Sequence, residues 1–322
     1  MEFCTQAFYN AEIYENGDVY NCCPHFQHYI PLGNIFAQPF EEIWNGERAK
    51  NIRKEILNGT FSLCDPMCPE YKKHLEKPAD CEESMLQYPK NLAVSSDNIC
   101  NVRCRFCREN HLKSEISDEE FISKIDTSFL PIFKNAEFVR FGCSGEPFAS
   151  KKEKELIKRI LENYPDIKIQ IFTNGILGNK ETFEKYNLFG KIDSLTVSIH
   201  AATKPTYEKV VRDGNFEKLI KNLEFYSELK SQNLLNALDF VFVVYSENYT
   251  EIPAFVEFAK KYNAHPLFWV FRKNINTELG QQYDKYSIIE PTSEHYENLC
   301  EIINSTDFNG AFLAPELRKL LV

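Results

Sequence analysis

The stretch NLAVSSDNICNVRCRFC, residues 91–107, decides the fold class of this chain. Its apolar start, residues 91–95, predicts a buried strand, and the loop that follows carries Cys100, Cys104 and Cys107. Enzymes of the α/β class place their chemistry on loops at the carboxyl ends of parallel strands. Three thiolates can hold three irons of a 4Fe–4S cubane and leave the fourth iron open to a small molecule. The stretch therefore predicts an iron–sulfur site at the end of a strand.

A zinc site is the alternative interpretation of the same three cysteines. Structural zinc sites and electron-transfer ferredoxins usually take their fourth ligand from nearby in the chain. The next cysteine, Cys143, lies 36 residues beyond Cys107. The spacing therefore favours a cluster with one open iron.

Length and charge bound the class of protein. The chain has 322 residues, enough for one large domain and a small one. Its 37 basic and 47 acidic residues give a net charge of −10, and there is no basic block, which disfavours nucleic acid as a partner. The sequence has no signal-peptide pattern and no apolar run long enough to span a membrane. We expect a cytoplasmic protein with no membrane or nucleic-acid partner.

Eleven cysteines are many for a cytosolic chain, and most of them lie in the first 107 residues. In a reducing compartment, cysteines serve as metal ligands more often than they form disulfides. We therefore expect metal centres in the N-terminal third of the chain.

From residue 91 onward, near-continuous apolar runs alternate with helical segments. Such runs are typical of a parallel sheet whose faces are covered by helices. The predicted strands span residues 91–96, 136–142, 167–173, 193–199, 236–245 and 266–271. The predicted helices span residues 117–128, 150–163, 180–187, 215–230 and 250–262. Six strands are too few for a closed eight-stranded barrel, so the pattern predicts an α/β fold with a partial (β/α)6 barrel.

Residues 1–88 lack this alternation and predict a small cysteine-rich module in front of the barrel. Asn16-Gly17 suits the turn of a hairpin over residues 13–20. Short helices are expected over residues 39–44 and 49–57, before loops rich in cysteine and proline. A module with such a small hydrophobic core needs further stabilisation, and a bound metal centre could supply it. We expect three regions: the module at 1–88, the barrel at 89–271 and an extension at 272–322 with a helix at 293–303.

The three-cysteine loop has Phe106 in front of its last cysteine, which gives the pattern C-x3-C-x-F-C. This pattern resembles the signature of the radical SAM superfamily, which follows the first strand of a partial α/β barrel. The resemblance implies a 4Fe–4S cluster on Cys100, Cys104 and Cys107 whose open iron binds S-adenosyl-L-methionine. It also implies a one-electron reductant such as flavodoxin or ferredoxin.

Three later segments resemble motifs of that superfamily in the same order. Residues 141–147 resemble its Gly-x-Gly-Glu-Pro element, with Cys143 where a glycine is usual. The resemblance implies that Gly145 and Glu146 contact S-adenosylmethionine. The family's Thr-Asn-Gly turn and fourth strand imply further contacts from Asn174, Ser198 and Arg212. A solvated helix position is the alternative for Arg212, and a structural role is expected for His200.

The N-terminal module resembles a SPASM or twitch module. Cys4, twelve residues, Gly17, four residues and then Cys22 match the spacing of that family. The resemblance implies one auxiliary 4Fe–4S cluster on Cys4, Cys22, Cys64 and Cys68. Cys23 could replace Cys22, and Cys81 could replace one of the later pair. A structural zinc site with the same four thiolates is the alternative. The module usually follows the barrel in this family, whereas here it precedes it.

The resemblance also implies a reaction. The enzyme would cleave S-adenosylmethionine to a 5′-deoxyadenosyl radical, which takes a hydrogen atom from the substrate. A peptide is the expected substrate, modified by oxidation, crosslinking or epimerisation. The alternatives are radical oxidation of a sugar or aminocyclitol-like small molecule, and a non-enzymatic iron–sulfur electron carrier. Epimerisation needs a hydrogen donor on the opposite face, for which Cys143 and Cys300 are the unassigned thiols.

Overall fold

The computed structural model describes residues 3–23, 30–65, 68, 71, 76–114, 116–274, 277–308 and 310–321. Its contacts divide the chain into two compact units. The first contains Met1–Asn98 and Lys113–Gln170, and the second contains Ile99–Leu112 and Ile171–Val322. Among the described residues, no helix is both long enough and apolar enough to cross a membrane.

Strands and helices alternate along most of the chain. The strands are β1 (Asn10–Tyr14), β2 (Asp18–Tyr20), β3 (Gly33–Asn34), β4 (Asn91–Ser95), β5 (Arg103–Cys104), β6 (Phe138–Phe141), β7 (Lys168–Thr173), β8 (Ile192–Ser198), β9 (Val211–Arg212), β10 (Ala237–Val244), β11 (His265–Val270) and β12 (Phe312–Leu313). The α-helices are α1 (Gln6–Tyr9), α2 (Phe40–Trp44), α3 (Glu47–Leu57), α4 (Asp118–Lys124), α5 (Lys151–Asn163), α6 (Lys180–Lys185), α7 (Lys204–Val210), α8 (Phe216–Ser231), α9 (Ile252–Lys261), α10 (Glu278–Gln281), α11 (Tyr283–Tyr286), α12 (Tyr296–Ser305) and α13 (Pro315–Arg318).

The sheet of the first unit combines the N-terminal hairpin with parallel strands. β1 pairs antiparallel with β2, and β2 pairs antiparallel with β3. On its other side β1 pairs in parallel with β4, which pairs in parallel with β6. Gly17, at φ +86°, lies in the turn between β1 and β2. The predicted hairpin is therefore confirmed, and its first strand extends the parallel sheet.

The two faces of this sheet differ in polarity because alternate residues of a strand point to opposite sides. One face is apolar and buried, with Ala11, Ile13, Leu92, Val94, Val139 and Phe141. The register puts Glu12, Ala93 and Arg140 in one row on the other face. The strands therefore bury one side in the core and keep polar groups on the other.

The second unit contains a parallel sheet with an aromatic core. β10 lies between β8 and β11, and β12 pairs with β11, all in parallel. The rings of Phe242 and Phe255 are 4.8 Å apart, and those of Phe255 and Phe268 are 5.7 Å apart. β5 and β9 form a separate antiparallel ribbon. The predicted α/β class, with a parallel sheet after a cysteine-rich N-terminal region, is confirmed.

The boundaries of the predicted strands agree with the structure to within two residues, whereas two predicted helices differ by more. The helix predicted over 293–303 spans Tyr296–Ser305. The predicted helix over 117–128 ends as an α-helix at Lys124. It continues as a π-helical turn over Ile125–Phe129 and a 3-10 helix over Leu130–Asn135. Pro131 has no N–H to donate to an α-helical hydrogen bond. The α-helix therefore changes form in the turns before and around this proline.

Two glycines in the left-handed region provide a test of the hairpin turn. A Cβ on Gly17 would lie 2.7 Å from Phe36 Cδ2 and 2.8 Å from Asn34 Oδ1, whereas a Cβ on Gly59, at φ +72°, would meet nothing within 4 Å. We expect Gly17→Ala to lower the free energy of unfolding by about 3 kcal/mol and Gly59→Ala by about 1 kcal/mol. Denaturant unfolding of the full chain measures both. Equal losses would show that the contacts with Phe36 and Asn34 do not constrain the turn.

Candidate active site

The backbone of the three-cysteine loop is held within the second unit. Cys104 lies in β5, opposite Val211 of β9. The backbone N–H of Cys107 donates to the carbonyl of Cys104 at 2.9 Å, and His111 Nδ1 lies 2.8 Å from the carbonyl oxygen of Cys100. Cys107 is exposed, and the other two thiols are half-buried. The loop therefore has a defined path and presents thiols that an incoming cluster can reach.

The predicted Thr-Asn-Gly turn lies against this loop. The Asn174 side chain donates to Asn101 Oδ1 at 2.9 Å, and its Nδ2 lies 3.8 Å from Cys100 Sγ. Its Oδ1 accepts the N–H of Ile176 at 3.0 Å, which fixes the side-chain rotamer. The structure therefore brings Asn174 to the first of the three cysteines.

A buried asparagine holds the other side of the same turn. Asn222 Nδ2 donates to the carbonyl of Gly175 at 2.8 Å and to that of Ile176 at 2.9 Å. Gly175, at φ +78°, has Leu219 and Val197 within 2.9 Å of the place that a Cβ would take. The turn is thus fixed by α8 and by the strand β8 beneath it.

An aromatic contact fixes the segment between the second and third cysteines. The ring of Phe106 meets the imidazole of His200 edge-on, with centroids 4.7 Å apart. His200 Nδ1 accepts the N–H of Val243 at 3.2 Å, and burial lowers the pKa of this histidine to about 3. A neutral imidazole whose Nδ1 is already bonded to backbone serves to pack Phe106.

Two other predicted contacts with S-adenosylmethionine differ in their surroundings. Ser198 is the last residue of β8 and is half-buried. Arg212 lies in β9, where its guanidinium donates to Glu278 at 3.2 Å. Arg212 therefore lies on a short strand and not on a helix, and its side chain pairs with a carboxylate at a partly exposed position.

The Gly-Glu segment belongs to the first unit, at the end of β6. Glu146 is 2% exposed, and its Oε1 accepts the N–H of Phe148 at 3.2 Å. Its carbonyl accepts the N–H of Ser150 at 3.1 Å, at the start of α5. Gly145 is half-buried beside it. Glu146 thus supports the turn that leads into α5.

The two candidate hydrogen donors lie in different units. Cys143 is exposed, yet the protein around it and the nearby carboxylate of Glu12 raise the pKa of its thiol to about 12. It therefore keeps its S–H at neutral pH. Cys300 is half-buried on α12, and its sulfur lies beside the hydroxyl of Tyr296.

The four cysteines predicted for the auxiliary cluster lie near one another in the first unit. Burial raises the pKa of Cys22, and the neighbouring thiolates of Cys4, Cys68, Cys23 and Cys64 raise it further. Burial and the same kind of neighbours raise the pKa of Cys64 to about 11. Repulsion among thiolates is what a bound cation relieves, so this donor set fits a metal cluster. Cys81 contacts Tyr9 instead, with its sulfur 3.4 Å from the hydroxyl.

The described part of the chain contains no three His, Cys, Asp or Glu side chains that are already arranged to hold a metal ion. The fit of the auxiliary set therefore rests on the type of donor and on the proximity of its thiols. The fit of Cys100, Cys104 and Cys107 rests on the type of donor and on their place in one loop. The assignment of individual ligands stays a prediction.

Sequence reasoning missed a cavity of about 590 Å³ in the first unit. Strands β1, β4, β6 and β7 form one wall with their polar face, including Asn10, Glu12, Asn91, Arg140 and Gln170. The cysteines Cys22, Cys23 and Cys68 line it as well. Polar residues at every second position of these strands were the available signal.

A buried acid, also missed, lies behind the Gly-Glu segment. Glu153 of α5 is 0% exposed, and burial raises its pKa well above the ordinary value of 4.5. The carboxylates of Asp97 and Glu146 raise this pKa further, whereas Ser96 lowers it. Within the described residues, neither carboxyl oxygen of Glu153 has a hydrogen-bond partner of normal geometry. Glu153 therefore binds its proton more tightly in the folded protein than in the unfolded chain.

We expect Glu153→Gln to reduce the loss of stability with rising pH. The unfolded chain releases this proton near pH 4.5 and the folded chain at a higher pH. The stability contributed by the neutral acid is thus complete below pH 4.5 and falls by about 1.4 kcal/mol per pH unit up to the folded pKa. Denaturant midpoints from pH 5 to pH 8 measure this, with Glu162→Gln on the exposed side of α5 as the control. Parallel curves for the wild type and Glu153→Gln would contradict it.

Comparison with known proteins gives the family. Residues 94–259 match the model of the radical SAM superfamily, and residues 4–73 match SPASM, an iron–sulfur cluster-binding domain. A probable GTP 3′,8-cyclase of Saccharolobus islandicus is 26% identical over 174 residues, which are 53% of each chain. The GTP 3′,8-cyclase of Aliarcobacter butzleri is 24% identical over 219 residues, 67% of this chain and 66% of that protein.

The chain spans about half the length of the Saccharolobus relative. Among solved structures, Streptococcus suis SuiB is similar to 74% of this chain and 55% of its own, with 17% identity and a TM-score of 0.44. The radical SAM match covers more than half of the residues and the SPASM match precedes it. The chain therefore belongs to the radical SAM superfamily and is an enzyme of that superfamily with a SPASM domain at its N-terminus.

Proposed function

We propose that this enzyme cleaves S-adenosylmethionine reductively and uses the resulting radical to take a hydrogen atom from a peptide. The contact of Asn174 with Cys100 carries the proposal, because it joins two superfamily motifs that lie 74 residues apart. Cys100, Cys104 and Cys107 would hold the first 4Fe–4S cluster. When bound, that cluster supplies the electron that breaks the sulfur–carbon bond of S-adenosylmethionine.

The chain's own residues prepare this site. Phe106 packed on His200 and Asn174 bonded to Asn101 restrict the conformations of the loop that carries the three thiols. Gly145, Glu146, Ser198 and Arg212 remain the proposed contacts of S-adenosylmethionine. Arg212 would have to exchange Glu278 for the methionyl carboxylate.

Cys4, Cys22, Cys64 and Cys68 are the proposed ligands of the auxiliary cluster. Their mutual effect on the pKa of Cys22 and Cys64 supports this set over one that includes Cys81. Cys22 and Cys68 also line the cavity of the first unit. An auxiliary cluster there would border the cavity and could accept an electron from a substrate radical.

The polarity of the cavity favours a peptide as the substrate. The side-chain amides of Gln6, Asn10, Asn91 and Gln170 line it. Asn10 donates to Gln6, Asn91 donates to Asn10 at 2.8 Å, and Gln170 accepts from Arg140 at 3.4 Å. A peptide group also both donates and accepts, so it could extend this chain of amide hydrogen bonds. A sugar or aminocyclitol would also bond to amides, so it remains the alternative small-molecule substrate.

A purine nucleoside triphosphate is the second candidate, because curated relatives are named GTP 3′,8-cyclase. A triphosphate needs several cationic side chains that are free to bind it. In the second unit three arginines around the cysteine loop are bound to carboxylates: Arg103 to Asp213, Arg105 to Glu247 and Arg212 to Glu278. A triphosphate would have to displace several of these carboxylates, whereas a peptide substrate needs no such exchange, and this favours the peptide.

We expect the protein, reconstituted without oxygen, to hold about eight irons in two clusters. Dithionite and S-adenosylmethionine should then yield 5′-deoxyadenosine. Cys104→Ala removes a ligand of the first cluster, so it should abolish 5′-deoxyadenosine formation and leave about four irons. Cys64→Ala removes a ligand of the auxiliary cluster, so it should likewise lose about half the iron. Cys81→Ala is the matched control and should keep both the full iron content and the formation of 5′-deoxyadenosine. Zinc in place of iron, or iron without deoxyadenosine, would contradict the proposal.

The same assay separates the substrates. Deuterated peptides, from cells grown in deuterated medium, should transfer deuterium to 5′-deoxyadenosine, whereas deuterated GTP should not. Transfer from GTP alone would reverse the order of the two candidates.

Cys143 is the proposed hydrogen donor if the reaction is an epimerisation, because its thiol stays protonated beside Glu12, which lines the cavity. In D2O the product of the wild type and of Cys300→Ala should then carry deuterium at the inverted carbon. Cys143→Ala should lose at least 90% of that label. Full turnover with unchanged product stereochemistry in Cys143→Ala would exclude this thiol.

A further inference from the structure

The first unit buries an ion pair that none of the proposed chemistry uses. Lys152 in the first turn of α5 is 0% exposed, and Glu15, just after β1, is 3% exposed. Lys152 Nζ lies 2.5 Å from Glu15 Oε1. A buried pair of charges is stable only when further hydrogen bonds satisfy both groups. The partners that supply those hydrogen bonds therefore show which segments of the chain the ion pair holds in place.

Those partners flank the cysteine loop, Ile99–Leu112, on both sides in the sequence. Glu15 Oε2 accepts the side-chain N–H of Asn98, the residue before the loop, at 3.3 Å. Glu15 Oε1 accepts the backbone N–H of Ile116, shortly after the loop, at 3.2 Å. Lys152 donates to the carbonyl of Ile116 at 2.5 Å. One buried carboxylate thus bonds to a residue just before the loop and to a residue four positions after it.

A second carboxylate repeats this arrangement. Asp97 is 0% exposed, and its Oδ1 accepts from the hydroxyl of Ser114 at 2.9 Å. The one hydroxyl proton of Ser114 is shared between Asp97 and Glu15, and the hydroxyl oxygen accepts from Lys152. Asp97 Oδ2 accepts from the hydroxyl of Ser150 at 2.8 Å. The network therefore connects the loop ends to the segment that follows the Gly-Glu motif.

We propose that Glu15 and Lys152 are positioning residues that hold the ends of the cysteine loop together and so set the spacing of its three thiols. Holding the two ends of a loop together lowers the conformational entropy of the free loop. Less entropy is then lost when a cluster binds. Glu15 lies within the SPASM match, and the loop lies within the radical SAM match. The first cluster site thus depends on a residue of the SPASM domain. The inference rests on the proposed role of the loop in holding the first cluster.

The variant Glu15→Leu/Lys152→Met provides the test. Removing one partner would leave a buried charge unpaired, whereas replacing both with apolar residues of similar size preserves the packing. Hydrogen–deuterium exchange of the reconstituted full chain should rise about tenfold within residues 99–112, because bonds to charged groups are lost. Exchange within residues 237–270 of the second unit should not change. The KM for S-adenosylmethionine in deoxyadenosine formation should rise about tenfold with a smaller change in kcat.

Two further variants complete the design. Ser114→Ala removes one hydroxyl without burying a charge, and it should raise exchange in residues 99–112 by about threefold even if the double variant fails to fold. Lys158→Met, at an exposed position of α5, is the control and should change neither readout. Unchanged exchange in the loop of Ser114→Ala, or an equal rise throughout the chain, would overturn the proposal. Hydrogen–deuterium exchange of the loop can also be measured before iron is added. Its result therefore tests this inference even if the wild type makes no deoxyadenosine and the proposed function fails.

Discussion

The parallel pairing of β1 with β4 is the constraint on which the first unit depends. Five pairs join the strands, from Asn10 opposite Asn91 to Tyr14 opposite Ser95. This register directs Ala11 and Ile13 into the core and keeps Glu12 on the cavity face. A shift by one residue would exchange the two faces. It would also move Glu15 away from Asn98, so the same pairing fixes both the cavity wall and the buried network.

Much of the fold could be predicted from the sequence because the strong signals are local. Apolar runs predicted β4, β6, β7, β8, β10 and β11, and Asn16-Gly17 predicted the hairpin turn, whereas the two-residue strands β5 and β9 were not predicted. The pairing of β1 with β4 was not predictable in this way, since the paired residues are 81 positions apart in the sequence. An apolar pattern indicates a strand but not which other strand it pairs with. The change of helix form after Lys124 depends on tertiary packing as well as on Pro131.

The site was predictable to the extent that it follows motifs. The turn with Asn174 was expected, and the structure adds its contact with Cys100. The pair of Lys152 and Glu15 has no motif, because 137 residues separate the partners and each alone resembles an ordinary surface charge. Glu153 was missed for a similar reason. Its burial depends on how α5 packs, which periodicity does not specify.

The order of the two matched regions has a consequence for folding. The SPASM match ends at residue 73, before β4 and α5 have been synthesised. Until residue 152 is present, Glu15 has no ammonium partner, and a carboxylate without a partner is costly to bury. The N-terminal segment therefore cannot reach its buried arrangement alone. It completes its sheet and its charge pairing only with β4 and α5, so we expect the SPASM segment to fold together with those later elements of the first unit, although they lie outside its match in the sequence.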